Sequence, residues 1–403
     1  MVHACFVIAL ADSAISQTAT ISKSTKEAVN SEVEIDILQL EEAAVKAAVR
    51  KVAASVVQIE TIGGSADDAG VSTGTVVSAD GLVLTAAYNL RHEPSSIFIK
   101  AMSSASKEPE RFIVELLATD HSRNLCLLKA DLPADVELVP VVAAEQGSLQ
   151  VGLTTIAMGK VHDAAAASIS VGILSATDRI WGRAVQTDAK ISRTNYGGPL
   201  VNFSGDTIGV LVPLSPDDSS VESGAEWYDS GIGFAVPLED YYKTIDRMAE
   251  GTDLSQGLLG ITLTAKDIYA DVPEIEFCSP KSPAVECGLL PGDTILAVDG
   301  VPVISQTQMK HVLGPKYAGE EVTLTVRRSD KEESFTATLV DRIDPFIELA
   351  IGVVPVRGGK KESAEIAHIL LGTPATETPL ADGDIISAVN NEEVKNWDDF
   401  QSK

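Results

Sequence analysis

The sequence predicts a mostly β chain followed by two smaller α+β modules, and three observations carry that reading. Between Ser55 and Pro237, short runs rich in Val, Ile, Leu and Thr recur, separated by turns containing Gly and Asp. The pattern Ser282-Pro283-Ala284 through Pro291-Gly292-Asp293 returns 91 residues later as Thr373-Pro374-Ala375 through Asp382-Gly383-Asp384, an internal repeat. Finally, 403 residues with 45% hydrophobic content are too many for one core and enough for two or three.

The bulk chemistry excludes several function classes. A net charge of −27 opposes binding to nucleic acid or to anionic lipid. Cys5, Cys126, Cys278 and Cys287 match no zinc spacing, and no phosphate-binding loop is present, so no metal or cofactor is expected. Cys126 lies in the apolar run Leu125 to Leu128 and reads as a buried thiol; Cys278 and Cys287 pair only if the fold brings them together. The run Ala4 to Ala11 is apolar and ends in Ala9-Leu10-Ala11, like the core and cleavage site of a signal peptide, although no Lys or Arg precedes it. It is far too short to span a bilayer, so the expectation is an extracytoplasmic protein with no integral membrane span.

In chain order, residues 1–38 read as a leader and loose polar segment, and 39–250 as the first folded domain. Leu40, Ala43, Ala44, Ala47 and Ala48 recur at helical spacing between Gln39 and Val52, which predicts an amphipathic helix feeding the first strand. Ser55 to Glu60 alternates as a strand. After a Gly/Asp loop, Gly74 to Ser78 and Leu82 to Ala86 flank Ala79-Asp80-Gly81, a hairpin with Asp-Gly as its turn. Further strand-like runs follow at Leu125 to Lys129, Val151 to Gly159, Ser170 to Ala176 and Gly231 to Pro237, and Pro213 to Gly231 forms a polar, acidic insertion.

Thr187-Asp188-Ala189-Lys190-Ile191-Ser192-Arg193-Thr194-Asn195-Tyr196-Gly197-Gly198-Pro199-Leu200-Val201 resembles the nucleophile segment of trypsin-like serine proteases, and that of the HtrA family most closely. Gly74 to Tyr88 resembles the family stretch that ends in the catalytic histidine, and Asp120 to Lys129 the stretch that carries the orienting aspartate. The resemblance spans about residues 45 to 245 and implies a trypsin-like double β-barrel with its active site in the cleft between barrels. Carried over residue by residue, however, the base, its orienting carboxylate and the nucleophile fall on Tyr88, Asn124 and Tyr196. The two former oxyanion positions are Thr194 and Tyr196. A phenol titrating near 10 does not accept a proton at neutral pH, an amide does not balance an imidazolium, and Tyr196 has no base. His92, His121, Ser122 and Ser192 lie near motif positions without matching them, so the catalytic constellation is expected to be nonfunctional.

The repeat resembles the PDZ domains attached to HtrA proteases, giving a first module at 255–342 and a second, truncated one at 347–403. In the first, Leu258-Leu259-Gly260-Ile261 stands where the family captures a peptide carboxylate, Leu263 continues the strand, and Met309, Val312 and Leu313 mark the opposing helix at Gln306 to Leu313. Leu349 to Val353 is the equivalent start in the second copy. The resemblance implies partners that are protein C-termini or unfolded polypeptides, and a homo-oligomer such as a trimer or a mixed oligomer with active relatives. The resulting expectation is an inactive HtrA-like pseudoprotease that binds or scaffolds proteins in quality control, with an active serine endopeptidase as the alternative.

Overall fold

A computed structural model describes residues 23–64, 70–106, 108–215, 224–225, 230–264, 267–343, 352–356, 363–390 and 392–401. The apolar run at Ala4 to Ala11, most of the acidic insertion, and Leu349 to Ile351 lie outside the described residues.

Helix α1 (Lys23–Val52) begins well before the expected Gln39, because the whole stretch contains neither Gly nor Pro to stop it. Its buried stripe is also rotated from the expected one. Leu40 is 70% exposed, whereas Val45, Ala48, Val49 and Val52 pack onto the core at i, i+3, i+4 and i+7. Just upstream, Ile37 and Leu38 are exposed as well.

Two closed six-stranded barrels follow. The first joins β1 (Val56–Ile62), β2 (Val71–Val76), β3 (Leu82–Ala86), β4 (Ser96–Ala101), β5 (Glu110–Asp120) and β6 (Leu125–Ala130) in the order β1-β2-β3-β6-β5-β4. The β2–β3 turn is the Asp80-Gly81 hairpin, with Gly81 at φ +100° and the Val77 N–H donating to the Leu82 carbonyl. The second joins β7 (Thr154–Gly159), β8 (Ser168–Asp178), β9 (Ala184–Thr187), β10 (Pro199–Val201), β11 (Thr207–Val212) and β12 (Gly233–Pro237) in the order β10-β11-β12-β9-β8-β7. Closure removes every free edge, and one apolar cluster runs through the boundary, from Leu84 and Tyr88 to Tyr196, Leu200 and Val212. Cys126 is buried as its run predicted, and Cys278 and Cys287 are both free thiols.

Between β8 and β9, the short turn α2 (Arg179–Gly182) carries Ile180 and Trp181 in left-handed conformation, φ +51° and +57°. A β-branched residue there is strained and needs surrounding structure to hold it. After α3 (Leu238–Tyr242) and α4 (Ile245–Ala249) the chain crosses the end of the first barrel, where the Leu254 N–H donates to the Thr119 carbonyl.

The next module pairs β13 (Ile261–Leu263) with β14 (Ile275–Cys278) and stacks β15 (Thr294–Val298), β16 (Val301–Pro302), β17 (Glu321–Arg328) and β18 (Lys331–Thr338) in the order β16-β15-β17-β18. Helices α5 (Pro283–Cys287) and α6 (Gln306–Leu313) close its core. The module is fastened to the barrels by a buried cluster that the sequence reading did not single out. Tyr317, 2% exposed, donates its hydroxyl to Asp120 Oδ2 at 2.5 Å, and the N–H groups of Ser122 and Arg123 donate to Asp120 Oδ1. Burial raises the Asp120 pKa, against the pull of Arg123 and the three donors. On the second barrel, Trp181 meets the His311 ring edge-on at 5.8 Å, with Lys310 Nζ 5.0 Å from its ring centre.

Ile343–Lys403 belong to a separate compact unit with β19 (Val353–Pro355), β20 (Ile366–Ile369), β21 (Ala388–Val389), β22 (Glu392–Glu393) and α7 (Trp397–Gln401). The repeat is real at the level of individual bonds. In the first copy Asp293 Oδ2 accepts from Leu290 N, Ile275 N donates to the Asp293 carbonyl and Gly292 N to the Ile275 carbonyl. In the second, Asp384, Ala381, Ile366 and Gly383 make the same three bonds, each 91 positions on. Only the first copy adds the clamp of Arg328 Nε and Nη2 on both Asp293 oxygens at 2.7 and 2.6 Å, which lowers the Asp293 pKa against the opposing effect of burial.

Candidate functional site

The loop between β9 and β10 is held by threonines of the first barrel. Thr73 Oγ1 donates to the Thr194 carbonyl and Thr75 Oγ1 to the Gly197 carbonyl, at 2.8 and 2.9 Å. Gly197 takes φ +87°, and a Cβ there would stand 2.2 Å from the Thr73 carbonyl oxygen, so the glycine is required by both its angle and its neighbour. Within the loop, Ser192 Oγ and Thr194 Oγ1 are 2.6 Å apart, Ser192 N donates to Asn195 Oδ1, and Thr194 N donates to Ser192 Oγ at 3.3 Å. Thr194 lies outside the left-handed region, so its branched side chain sits without strain. Its N–H is engaged with Ser192 Oγ within the same loop.

Tyr88, Asn124 and Tyr196 do come together at the barrel boundary. Tyr88 and Tyr196 are 4% and 3% exposed, and their rings meet edge to face, 5.6 Å between centres at 78°. Arg91 lies over the Tyr88 ring at 4.1 Å, with Arg193 at 5.5 Å. Asn124, left-handed at φ +55°, accepts the Tyr88 N–H on Oδ1 at 2.9 Å and donates from Nδ2 to the Pro213 carbonyl at 3.0 Å. Its amide therefore bridges the first barrel to the end of β11. Asn89 Nδ2 donates to the Tyr196 carbonyl at 2.8 Å, fixing the loop from the same side. Beside Tyr196, the space bounded by Ile191, Val212, Leu214 and Phe234 is about 10 Å³, room for about one water molecule.

His121 Nε2 faces Asp253 Oδ2 at 3.8 Å on the surface, the buried Ser122 Oγ lies 3.4 Å from Arg183 Nη1, and Ser192 Oγ is engaged with Thr194 and Asn195. Among the described residues, no group of His, Cys, Asp and Glu is arranged to hold a metal ion.

In the first α+β module, Leu258 exchanges backbone bonds with Val340, and the Leu259 carbonyl accepts from Ala284 N at 3.0 Å. Gly260, at φ +82°, turns the chain into β13, and its carbonyl accepts from Ser282 Oγ. Ile261 and Leu263 are half-buried against the core. Of the three helix positions, Met309 is 5% exposed and packs inside the core, whereas Val312 and Leu313 are half-buried at its margin. The carboxyl end of α6 lies beside the Gly260 turn, because Gly257 N donates to the Lys316 carbonyl at 2.9 Å. The amino end lies beyond the far end of β13, where Thr307 N and Oγ1 both donate to the Ile268 carbonyl, at 3.0 and 2.8 Å. Strand and helix thus run in opposite directions along a groove.

Residues 72–210 match the trypsin-like peptidase domain family and residues 257–339 the PDZ domain family. The periplasmic serine endoprotease DegP of Escherichia coli (strain K12) is 28% identical over 349 residues, an alignment covering 81% of this chain and 70% of the relative. The periplasmic pH-dependent serine endoprotease DegQ of the same organism is 27% identical over 352 residues, covering 81% and 73%. Among solved structures, an HtrA-type protease AlgW with decapeptide aligns with a TM-score of 0.57 at 22% identity, over 74% of this chain and 99% of that one. The serine endoprotease from Yersinia pestis aligns at 0.55 and 23% identity, over 74% and 97%. At those identities the structural likeness speaks to the fold: a trypsin-like double barrel followed by a PDZ domain. No helix among the described residues is long and apolar enough to cross a membrane.

Proposed function

We propose that this homologue of the HtrA-type serine endoproteases works without their catalysis, as a peptide- or protein-binding scaffold in protein quality control. The observation that carries the reading is the packing at the barrel boundary. Tyr88 and Tyr196 are buried against each other where a base and a nucleophile would stand, and the Asn124 amide is committed to two backbone groups. Acyl transfer needs a hydroxyl, a base titrating near the working pH and a group holding that base in register. Tyr88, Asn124 and Tyr196 do not fill these roles on this reading, and an oxyanion donor, the Thr194 N–H, is engaged inside its own loop. Loss of a triad member lowers turnover by roughly 10⁴- to 10⁶-fold.

What remains is the PDZ groove, whose Gly260 turn and β13 edge suit an added strand ending in a free carboxylate. On this reading the partners are protein C-termini or unfolded chains, met outside the cytoplasm, with the protein alone as an oligomer or mixed with active relatives. Incubation of the full chain with unfolded casein, with and without a fluorophosphonate probe, tests it. Neither cleavage nor labelling is expected, and cleavage blocked by the probe would refute the inactive reading.

A further inference from the structure

A cavity of about 400 Å³ lies where the end of β8, β9 and α3 meet the turn that follows α6. That volume is in the range of small-molecule sites. Its apolar lining is Leu149, Ala184, Val185, Pro237 and Pro315, of which Ala184 and Val185 are 1% and 3% exposed. Pro315 closes it from the PDZ side, standing so near the barrel that a Cβ on Gly182 would lie 3.0 Å from its ring. The cavity shares no residue with the space beside Tyr196, and none of its lining belongs to β13 or α6.

The charged groups around it have bonding capacity to spare. Asp178, exposed at the end of β8, caps no backbone group with its side chain and takes no hydrogen bond or ion pair among the described residues. Asp240 accepts from Lys243 Nζ on Oδ1 at 2.6 Å, but its Oδ2 stands 4.0 Å from Arg123 Nη2, beyond hydrogen-bond range. Arg123 is itself buried, and its Nε has no acceptor among the described residues. Buried groups left short of partners in this way are uncommon in folded proteins. Lys243 is held only by a surface pair, its side chain 67% exposed, so it reorients at little cost.

Both signs of charge are present, so a guest carrying only one meets a like charge as well as an opposite one. A zwitterion meets complementary groups at both ends. Its ammonium has three donors for Asp178 and Asp240 Oδ2, its carboxylate accepts from Lys243 Nζ, and an apolar side chain covers Val185 and the two prolines. We propose that this cavity binds an apolar α-amino acid or dipeptide as its zwitterion. The site is independent of the peptide groove and of the barrel boundary.

The test is isothermal titration calorimetry on the full chain with L-leucine, leucyl-leucine, isoamylamine, which lacks the carboxylate, and 4-methylpentanoate, which lacks the ammonium. Leucine or its dipeptide is expected to bind with a dissociation constant below about 1 mM, an ordinary efficiency for a ligand of that size, and the tighter of the two identifies the guest. Each truncated analogue should bind at least about ten-fold more weakly, having lost a charge-assisted bond. Asp178→Asn keeps the shape and suits the left-handed φ of +53°, and Lys243→Gln alters an exposed side chain; each should weaken binding about ten-fold with the unfolding midpoint unchanged. Titrations are repeated in excess N-acetylated octapeptide with an apolar C-terminus, which occupies the β13 groove and should leave leucine binding intact. No binding up to about 10 mM, or analogues as tight as the zwitterions, would overturn the proposal. So would leucine binding that the octapeptide abolishes and Asp178→Asn leaves unchanged, because the ligand would then sit in the groove.

Discussion

Replacing Tyr196 with Ala tests whether its ring fills the cleft or projects into it. At 3% exposed, within the cluster that crosses the barrel boundary, the ring should behave as a core aromatic, whose truncation costs about 3–5 kcal/mol. Its edge-to-face contact with Tyr88 should appear as a coupling of about 1 kcal/mol. Urea unfolding followed by far-ultraviolet circular dichroism, on wild type, Tyr196→Ala, Tyr88→Ala and the double variant, measures both quantities. The adjoining space of about 10 Å³ leaves little room for the wild-type ring to relocate, which favours the upper part of that range. A cost below about 0.5 kcal/mol, with additive single variants, would refute the reasoning and identify Tyr196 as a surface group with no packing role.

Three further outcomes are expected. Tyr317→Phe removes one of three donors from the buried Asp120 carboxylate, which should cost about 1.5–3 kcal/mol at neutral pH. Burial already raises the Asp120 pKa, so its contribution to stability is full below about 3.8 and is lost as pH rises through the folded value; the variant's penalty should therefore grow between pH 4 and 8 in urea titrations. Lys160 is 1% exposed, donates Nζ to the Ala53 carbonyl, and has a pKa lowered by burial to about 8, so its contribution is present above 10.5 and lost as pH falls through 8. Wild type should gain about 2–3 kcal/mol over Lys160→Met between pH 7 and 10, and parallel pH profiles would refute this. Introducing Tyr88→His, Asn124→Asp and Tyr196→Ser together should yield casein cleavage only weakly above background, and adding Thr194→Gly should raise it, since the Thr194 N–H is now engaged with Ser192 Oγ.

The barrels and the repeat were legible because their signals are local: strand runs, an Asp-Gly turn, and a turn motif whose hydrogen bonds recur 91 residues apart. That Tyr88 and Tyr196 fill the space at the barrel boundary could be anticipated from motif positions, but their edge-to-face geometry could not, since it depends on ring packing across 108 positions of sequence. Helix α1 began earlier than expected because apolar spacing marks where a helix is buried, and a helix lacking Gly and Pro continues beyond that point. Met309 read as either a pocket or a packing residue and lies buried in the module core, because a short helix's two apolar faces are told apart only by what lies against them. The Asp120–Tyr317 contact joins residues 197 apart, and no periodicity in the chain announces it.

The two bonds of Asn124 restrict which side chain its position accepts. An aspartate there accepts the Tyr88 N–H equally well, but has no hydrogen to give the Pro213 carbonyl, and would set a carboxylate against a carbonyl oxygen where the amide now bridges two barrels. Asn124 is thus a fastener of the present fold. An aspartate at position 124 therefore fits without a like-charged clash only where the backbone beyond β11 has moved away.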